Sequence, residues 1–341
     1  MEIDQFPIEV VCYMLKYLSV SDLFFLSLSS NDFYNAVKRI KVNSCLTISK
    51  ISGECALKLI CPDAAGCLVF NTRQPEHRDL IMRRSILRMG NEKIKVKATY
   101  FIDNCQTTLH IRQKDIPKMM GLVFNYINEL FNPTDICLNM KLKNVEKYFQ
   151  DNTVYTLNIM DKSVDVMRVE KVLSELTVEG HLIALGKITG KLKTNSKINS
   201  MNQLHVRGKW MTPAQILKFD GEHALFDNTL FTTKDIGLFL NAWMNGAYPN
   251  LETLIINSKN TLYPSEVTPK LVTKPWDPKQ RSRHYKYRSR MIEHINRLHL
   301  AYVCDCGHDG FDIERKSDGL LATFKISWNH FFFFVWNDRF S

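Results

Sequence analysis

The sequence predicts an α/β protein that has a short helical N-terminal domain, a larger domain of alternating strands and helices, and an antiparallel hairpin near the end of the chain. Three observations lead to this prediction. Apolar residues recur at helical spacing within residues 1–42, a short Leu-x-aliphatic motif recurs from residue 43 onward, and Asp318-Gly319 separates two segments of alternating polarity. We therefore place one domain at residues 1–42 and a second at residues 43–341.

The composition is that of an ordinary folded protein, with 45% hydrophobic and 23% charged residues. The longest apolar run, Phe331 to Trp336, is far shorter than the roughly 20 residues of a membrane-spanning helix, so we expect no membrane segment and no membrane partner. Glu2 and Asp4 stand where a secretory signal would carry Lys or Arg, which predicts an intracellular protein, cytoplasmic or nuclear. The nine cysteines form no spaced framework, so we expect free thiols.

The first domain has the signals of three short helices. Pro7 suits the first turn of a helix, and Glu9 lies where a negative charge favours the helix dipole. Val11, Met14, Leu15 and Leu18 then repeat at helical spacing. We predict that Ser21 caps the second helix and that Ser30 or Asn31 caps the third.

A unit of this size has too much surface for its volume to bury all its apolar side chains internally, so a partner is expected. The alternative is a helical cap on the following domain. The motif Phe6-Pro7-x-Glu9-Val10-Val11, followed by Leu15 to Leu18, Ser19 to Leu23 and Leu26 to Ser30, resembles an F-box, with Phe6 in place of the usual leucine. The resemblance implies that apolar side chains here bind the Skp-type adaptor of a cullin-based ubiquitin ligase. The matching positions are Phe6, Pro7, Ile8, Val11, Leu15, Leu18, Leu23 and Leu26.

The second domain repeats a short strand motif between stretches of helical character. Its instances are Leu46-Thr47-Ile48, Leu109-His110-Ile111, Leu138-Asn139-Met140, Leu157-Asn158-Ile159, Leu176-Thr177-Val178, Leu204-His205-Val206 and Leu254-Ile255-Ile256, with Leu230-Phe231 predicted as a further strand. The pattern resembles leucine-rich repeats, which stack strands into a curved parallel sheet. Because the spacing is irregular and no Asn or Cys ladder follows the strands, a nonrepetitive α/β sandwich is the alternative.

The clearest helix is predicted at residues 233–244. Ile236, Phe239, Leu240, Trp243 and Met244 form one apolar stripe, which starts after Thr232 or Thr233 and stops at Asn245-Gly246. Trp243 is the candidate substrate-binding residue of this segment. Its place in the stripe predicts a core residue instead.

The segment from Leu230 to Ile256 and the chain end, Gly310 to Gly319 with Ala322 to Ile326, resemble the type 2 F-box-associated domain of nematode F-box families. We place this region at about residues 170–260 and the C-terminal hairpin at about residues 310–336. The resemblance implies that this domain recruits a protein substrate. The residues that would contact the substrate are not identified by the sequence.

The other motifs point away from metals, cofactors and catalysis. Cys304, Cys306 and His308 lack the second ligand cluster that a zinc site needs, and we expect a loop at residues 304–308. The chain has no Gly-rich phosphate loop and no hydrolase or metalloprotease motif. We therefore expect no metal, no cofactor and a noncatalytic protein.

The net charge of +10 has much of its excess between Lys274 and Arg290. We interpret this stretch as an exposed loop that leads into a helix at residues 287–298. The alternative is a basic contact patch for an acidic substrate, for nuclear import or for nucleic acid, although nucleic acid is not the expected partner. The patch would consist of Lys279, Arg281, Arg283, Lys286, Arg288 and Arg290.

These observations lead to one functional hypothesis and one rival. The hypothesis is the substrate-recognition subunit of an SCF-type, cullin-RING ubiquitin ligase, with the N-terminal helices on the adaptor and the second domain on a protein substrate. The rival is a basic nucleic-acid-binding or scaffold protein that uses residues 274–290.

Overall fold

A computed structural model describes residues 7–51, 54–61, 66–73, 81–89, 91–101, 106–149, 152–193, 195–208, 212–287, 303–307 and 309–339. The chain divides into two compact units, Met1–Asn158 and Ile159–Ser341. The predicted domain boundary at residue 42 falls inside the first unit, because the N-terminal helices pack on the sheet that follows them.

Three helices open the first unit, at α1 (Ile8–Leu15), α2 (Val20–Ser27) and α3 (Asn31–Arg39). Pro7 is the N-cap of α1. Ser19, not Ser21, caps α2 by accepting a hydrogen bond from the Asp22 amide, and Ser30 caps α3. Ser21 lies one residue inside α2 and is buried. The prediction of three short helices is confirmed, and the predicted cap of the second helix is wrong by two positions.

The first unit contains a mixed sheet. Its strands are β1 (Cys45–Ile51), β2 (Glu54–Ile60), β3 (Cys67–Asn71), β4 (Ile81–Met89), β5 (Glu92–Phe101), β6 (Gln106–Ile111), β7 (Asp135–Met140) and β8 (Thr153–Ile159). They are ordered β4-β5-β6-β3-β2-β1-β7-β8, with β1 parallel to β7 and β3 parallel to β6. The Leu-x-aliphatic motifs fall in these strands, and Leu46, Leu109 and Leu138 are fully buried because alternate residues point to one face.

Helices after β6 cover the core of the first unit. They are α4 (Ile116–Lys118), a π-helical turn at Met119–Val123, α5 (Phe124–Phe131) and α6 (Leu142–Tyr148). Met119, Val123 and Ile127 are buried along this segment, and Asn132 ends it in the left-handed conformation, with φ of 42°.

The second unit combines parallel strands with an antiparallel end. Its elements are β9 (Ser163–Asp165), α7 (Val166–Glu175), β10 (Thr177–Ala184), β11 (Lys187–Thr189), β12 (Gln203–Arg207), α8 (Pro213–Ile216), β13 (His223–Thr229), α9 (Thr233–Met244), β14 (Thr253–Ser258), α10 (Pro264–Val267), β15 (Lys274–Pro275), β16 (His284–Lys286), β17 (Val303–Asp305), β18 (Gly310–Glu314), β19 (Leu321–Ser327) and β20 (His330–Val335). Strands β10, β12, β13 and β14 are parallel neighbours, and β20, β19, β18 and β15 continue the sheet in antiparallel fashion.

Two secondary-structure predictions in the second unit are wrong. The strand near Leu230 lies at β13 instead, and Leu230-Phe231 form the connection from that strand to α9. Cys304 and Asp305 belong to β17, which pairs with β16, and not to a loop. Short apolar runs predict burial better than they predict strand bounds, because tertiary pairing decides where each strand ends.

The predicted helix at residues 233–244 is confirmed as α9. Thr232 and Asp235 form a reciprocal capping box at its start, and Gly246, with φ of +95°, follows its end. Trp243 is fully buried and packs edge-on against Phe333, with ring centroids 5.2 Å apart. It is a core residue, as predicted.

The predicted C-terminal hairpin is present, and Gly319 supplies the left-handed turn between β18 and β19. The chain is therefore a mixed α/β protein. The leucine-rich-repeat-like arrangement stays a prediction. No helix among the described residues is both long and apolar enough to cross a membrane. The eight cysteines that the structure describes are free thiols.

A buried ion pair joins the loop after β15 to β18. The guanidinium of Arg281 donates to both carboxylate oxygens of Asp312 at 2.8–3.0 Å, and to the backbone oxygens of Cys306 and Ser282. Thr323 also donates to Asp312, at 2.6 Å. Neither charge is exposed, so each depends on the other for compensation.

Replacing Asp312 by Ala will lower the free energy of unfolding by about 3–5 kcal/mol, because the buried Arg281 charge would lose its counter-ion. Urea denaturation followed by circular dichroism measures the loss. The matched control is Glu314→Ala on the same strand, which removes an exposed pair with Lys274 and should cost about 1 kcal/mol or less. Equal losses in the two variants would contradict the assigned role of the buried pair.

Candidate functional site

Helix α1 is apolar on two faces. Val11 and Leu15 point inward and are buried, as their spacing of four residues requires. On the other side, Val10, Tyr13, Met14 and the following Tyr17 form a second stripe at i, i+3, i+4 and i+7. These four side chains are 41%, 61%, 59% and 73% exposed. We call this set the outer stripe.

The inward contacts fix the helices on the first unit. Phe24 of α2 is fully buried and packs edge-on against Phe70 and Tyr126, with ring centroids 5.4 and 5.9 Å apart. The Tyr126 hydroxyl donates to Ser27 Oγ at 2.9 Å. Burial is the main cause that raises the pKa of Tyr126, so its hydroxyl keeps its proton. Helix α2 is thereby anchored to β3 and α5.

Helices α1 and α3 are held by their own contacts. The Cys12 thiol lies 3.6 Å from the Ala36 carbonyl oxygen, and Lys38 forms an ion pair with Glu129 of α5 at 2.8 Å. The hydrogen bond from Lys38 lowers the pKa of Glu129. Because this pair is exposed, we assign it a role in orientation and not in stability.

Two tyrosines of the outer stripe contact each other. The Tyr17 hydroxyl donates to that of Tyr13 at 2.8 Å, and the two rings meet edge-on with centroids 5.5 Å apart. This hydrogen bond raises the pKa of Tyr17. Pro7 is exposed one turn before Val10, and Phe25 of α2 is 37% exposed. Grouped apolar exposure of this kind marks a protein interaction site.

The eight predicted adaptor-contact residues differ in their exposure to solvent. Phe6 lies outside the described residues. Pro7 is exposed, and Ile8, Leu18 and Leu26 are half-buried. Val11, Leu15 and Leu23 are buried by the packing of the helices against the rest of the unit, and their contact with an adaptor stays a prediction.

Sequence reasoning missed the residues that the structure exposes. These are Val10, Tyr13, Met14, Tyr17 and Phe25. The spacing of the outer stripe is visible in the sequence. Spacing does not distinguish the two stripes of α1, because both fit a helix.

The structure describes four of the six residues of the predicted basic patch, and two of those four are in ion pairs. Arg281 is buried in its ion pair with Asp312, so the interpretation of Arg281 as a contact residue is corrected. Arg283 makes a two-pronged pair with Asp305 and holds the pKa of that carboxyl well below its usual range. Lys279 and Lys286 are exposed. Arg288, Arg290 and most of the predicted helix at 287–298 lie outside the described residues.

The cysteines near residue 305 are held by local contacts. Cys306 is buried, and its thiol lies 3.6 Å from the Cys304 carbonyl oxygen. Its interactions with Cys304 and its burial raise the pKa of Cys306. Among the described residues, no group of three or more His, Cys, Asp or Glu side chains is placed to hold a metal ion. His308 is not described.

The substitution Leu23→Ala will lower the free energy of unfolding by about 2–4 kcal/mol, because it opens a cavity in the helix packing. Tyr17→Ala will change it by about 0.5 kcal/mol or less, since that ring is largely in solvent. Thermal and urea denaturation of both variants measure the difference. A large loss for Tyr17→Ala would mean that the outer stripe is covered within the chain.

Two comparisons with known proteins found a match, one over a segment of the second unit and one over nearly the whole chain. Residues 193–256 match the family described as F-box associated, and this segment carries β12, α8, β13, α9 and most of β14. An uncharacterized protein of Caenorhabditis elegans is 25% identical over an alignment that covers 99% of this chain and 78% of the relative. No solved structure matches significantly. The segment of the second unit that is similar to this family lies inside the predicted region of residues 170–260.

Proposed function

We propose that the chain is the substrate-recognition subunit of a cullin-RING ubiquitin ligase, in which the outer stripe of α1 binds a Skp-type adaptor. The observation that carries the proposal is the exposure of Val10, Tyr13, Met14 and Tyr17 on a helix whose opposite face is already packed. The F-box-associated match at residues 193–256 supports the same assignment from another part of the chain.

The outer stripe has the features of a protein-binding hot spot. Tyr and Met are enriched in the cores of protein interfaces, where a ring or a flexible thioether fills a pocket on the partner. The hydrogen bond from the Tyr17 hydroxyl to the Tyr13 hydroxyl restrains both rings before the partner binds. This restraint reduces the conformational entropy that is lost on association. A partner that covers this stripe would complete the burial that three helices cannot achieve by themselves.

The proposed mechanism is positioning. The adaptor contact and a substrate contact on one chain would raise the effective concentration of a substrate lysine near the ubiquitin-loaded enzyme. Ubiquitin transfer would then be catalysed by other subunits, and this chain would be noncatalytic. The rival hypothesis of nucleic-acid binding through residues 274–290 loses support, because Arg281 and Arg283 are engaged by Asp312 and Asp305.

Capture by a purified Skp-type adaptor tests the proposal. Met14→Glu places a charge at the centre of the outer stripe, and we expect it to weaken adaptor binding by about 2 kcal/mol or more, a factor of roughly 30. Isothermal titration calorimetry with the full chain measures the affinity.

The matched control is Met167→Glu, which introduces the same charge at a 48% exposed methionine near the start of α7. Its adaptor affinity should equal that of the wild type. Absence of binding by the wild-type chain would overturn the proposal, as would equal weakening by the two variants.

A further inference from the structure

A second surface of the first unit is strongly basic. Strands β4 and β5 pair so that Arg84 lies opposite Lys97, Ile86 opposite Lys95 and Arg88 opposite Lys93. Residues directly opposite share one face of a sheet, so the five cations and Ile86 lie together on one surface. We call this set the basic face. The intervening residues Leu87, Ile94 and Val96 are buried on the other side.

The charges of the basic face are not compensated by the described part of the chain. No described carboxylate forms an ion pair with Arg84, Arg88, Lys93, Lys95 or Lys97. Glu92, at the start of β5, binds Lys118 instead. Like charges directly across two strands destabilise a hairpin, and this one has two such pairs. An arrangement of this kind favours an anionic ligand.

The shape of the surface suits an extended segment. Arg84, Ile86, Lys95 and Lys97 line an open cavity of about 700 Å³ together with Arg112. Ile86 is 51% exposed between the cations and offers an apolar contact. Alternate residues of an extended strand project about 7 Å apart on one side, so alternate carboxylates of a peptide would match cations in the same register. Strand β4 also ends the strand order of this unit, where a peptide strand can be added.

Nucleic-acid binding and protection of the sheet edge are two roles that fit the basic face less well. Single-stranded nucleic acid is usually held by stacking on aromatic rings, and the described residues that line the cavity include no Phe, Tyr or Trp. Charges on an edge strand also keep sheets from pairing edge to edge. That role needs cations on β4 alone, whereas three of the five lie on β5, where Lys97 pairs with Arg84 of β4 on one side and with His110 of β6 on the other.

We propose that the basic face binds an extended acidic segment of a partner protein, with carboxylates against the cations of β4 and β5 and an apolar side chain over Ile86. The binding of an acidic segment is inferred from the geometry of the first unit alone. That the segment belongs to the protein to be ubiquitinated rests on the proposed function.

Fluorescence anisotropy of a labelled peptide tests the proposal on the full chain. The probe is a short peptide in which Glu alternates with Thr, with Val in place of the central Glu. We expect saturable binding that weakens as salt is raised, and a loss of about tenfold or more when each Glu is replaced by Gln. The double variant Lys95→Glu with Lys97→Glu should lose affinity for the peptide by about tenfold or more.

The control variant reverses two exposed lysines elsewhere, Lys171→Glu with Lys218→Glu, and therefore has the same net charge. It should bind the peptide within about twofold of the wild type, and circular dichroism should show that both variants fold. If the reversal on the basic face prevents folding, Lys95→Gln replaces it and should lose about threefold or more. An unaffected affinity in that variant would overturn the proposal.

Three further outcomes contradict the proposal. They are no binding by the wild type, equal loss in the two reversal variants, and tighter binding of a single-stranded oligonucleotide of matched charge that the basic-face variant abolishes. Adaptor capture is measured in parallel, because the basic face and the outer stripe share no residue. If the wild-type chain binds the peptide but no adaptor, the proposed function is refuted and this inference stands. If it binds the adaptor but not the peptide, only this inference is refuted.

Discussion

The apolar character of both faces of α1 is the constraint on which the functional account depends. One helix in a small N-terminal segment must place Val11 and Leu15 inward to join the first unit, and the same turn geometry then places Val10, Met14 and Tyr17 outward. Burying one stripe exposes the other. The contacts of Phe24 with Phe70 and Tyr126 fix which stripe is buried, because they set how α2, and the helices packed with it, lie on the sheet.

In the second unit, the apolar side chains are buried mainly within one sheet of parallel and antiparallel strands. Its parallel strands β12, β13 and β14 are buried at almost every position, including polar ones, and the antiparallel strands β18 to β20 extend the sheet with a row of phenylalanines at positions 331–334. The antiparallel strands also hold a buried hydrogen-bond network, in which Trp336 donates to Thr323, Thr323 donates to Asp312, and Arg281 compensates the carboxylate. The segment that matches the F-box-associated family lies among the parallel strands of this unit.

Local signals predicted much of the fold, and contacts between distant residues decided the rest. The apolar stripe and end signals of α9 gave its bounds, and Asp318-Gly319 gave the hairpin turn. The inward stripe of α1 was not predictable from spacing, since both stripes fit a helix. The burial of Arg281 depends on Asp312, which lies 31 residues later in the chain, and a basic stretch in a sequence does not indicate which cation has a distant partner.

The central claim is that the outer stripe is the surface on which an adaptor docks. Amide hydrogen exchange of the full chain, measured alone and with a saturating Skp-type adaptor, tests it most directly. We predict slower exchange in the complex across residues 8–27, which span α1 and α2, and unchanged exchange in α9 of the second unit. A complex that forms while the exchange of α1 and α2 stays unchanged would contradict the claim.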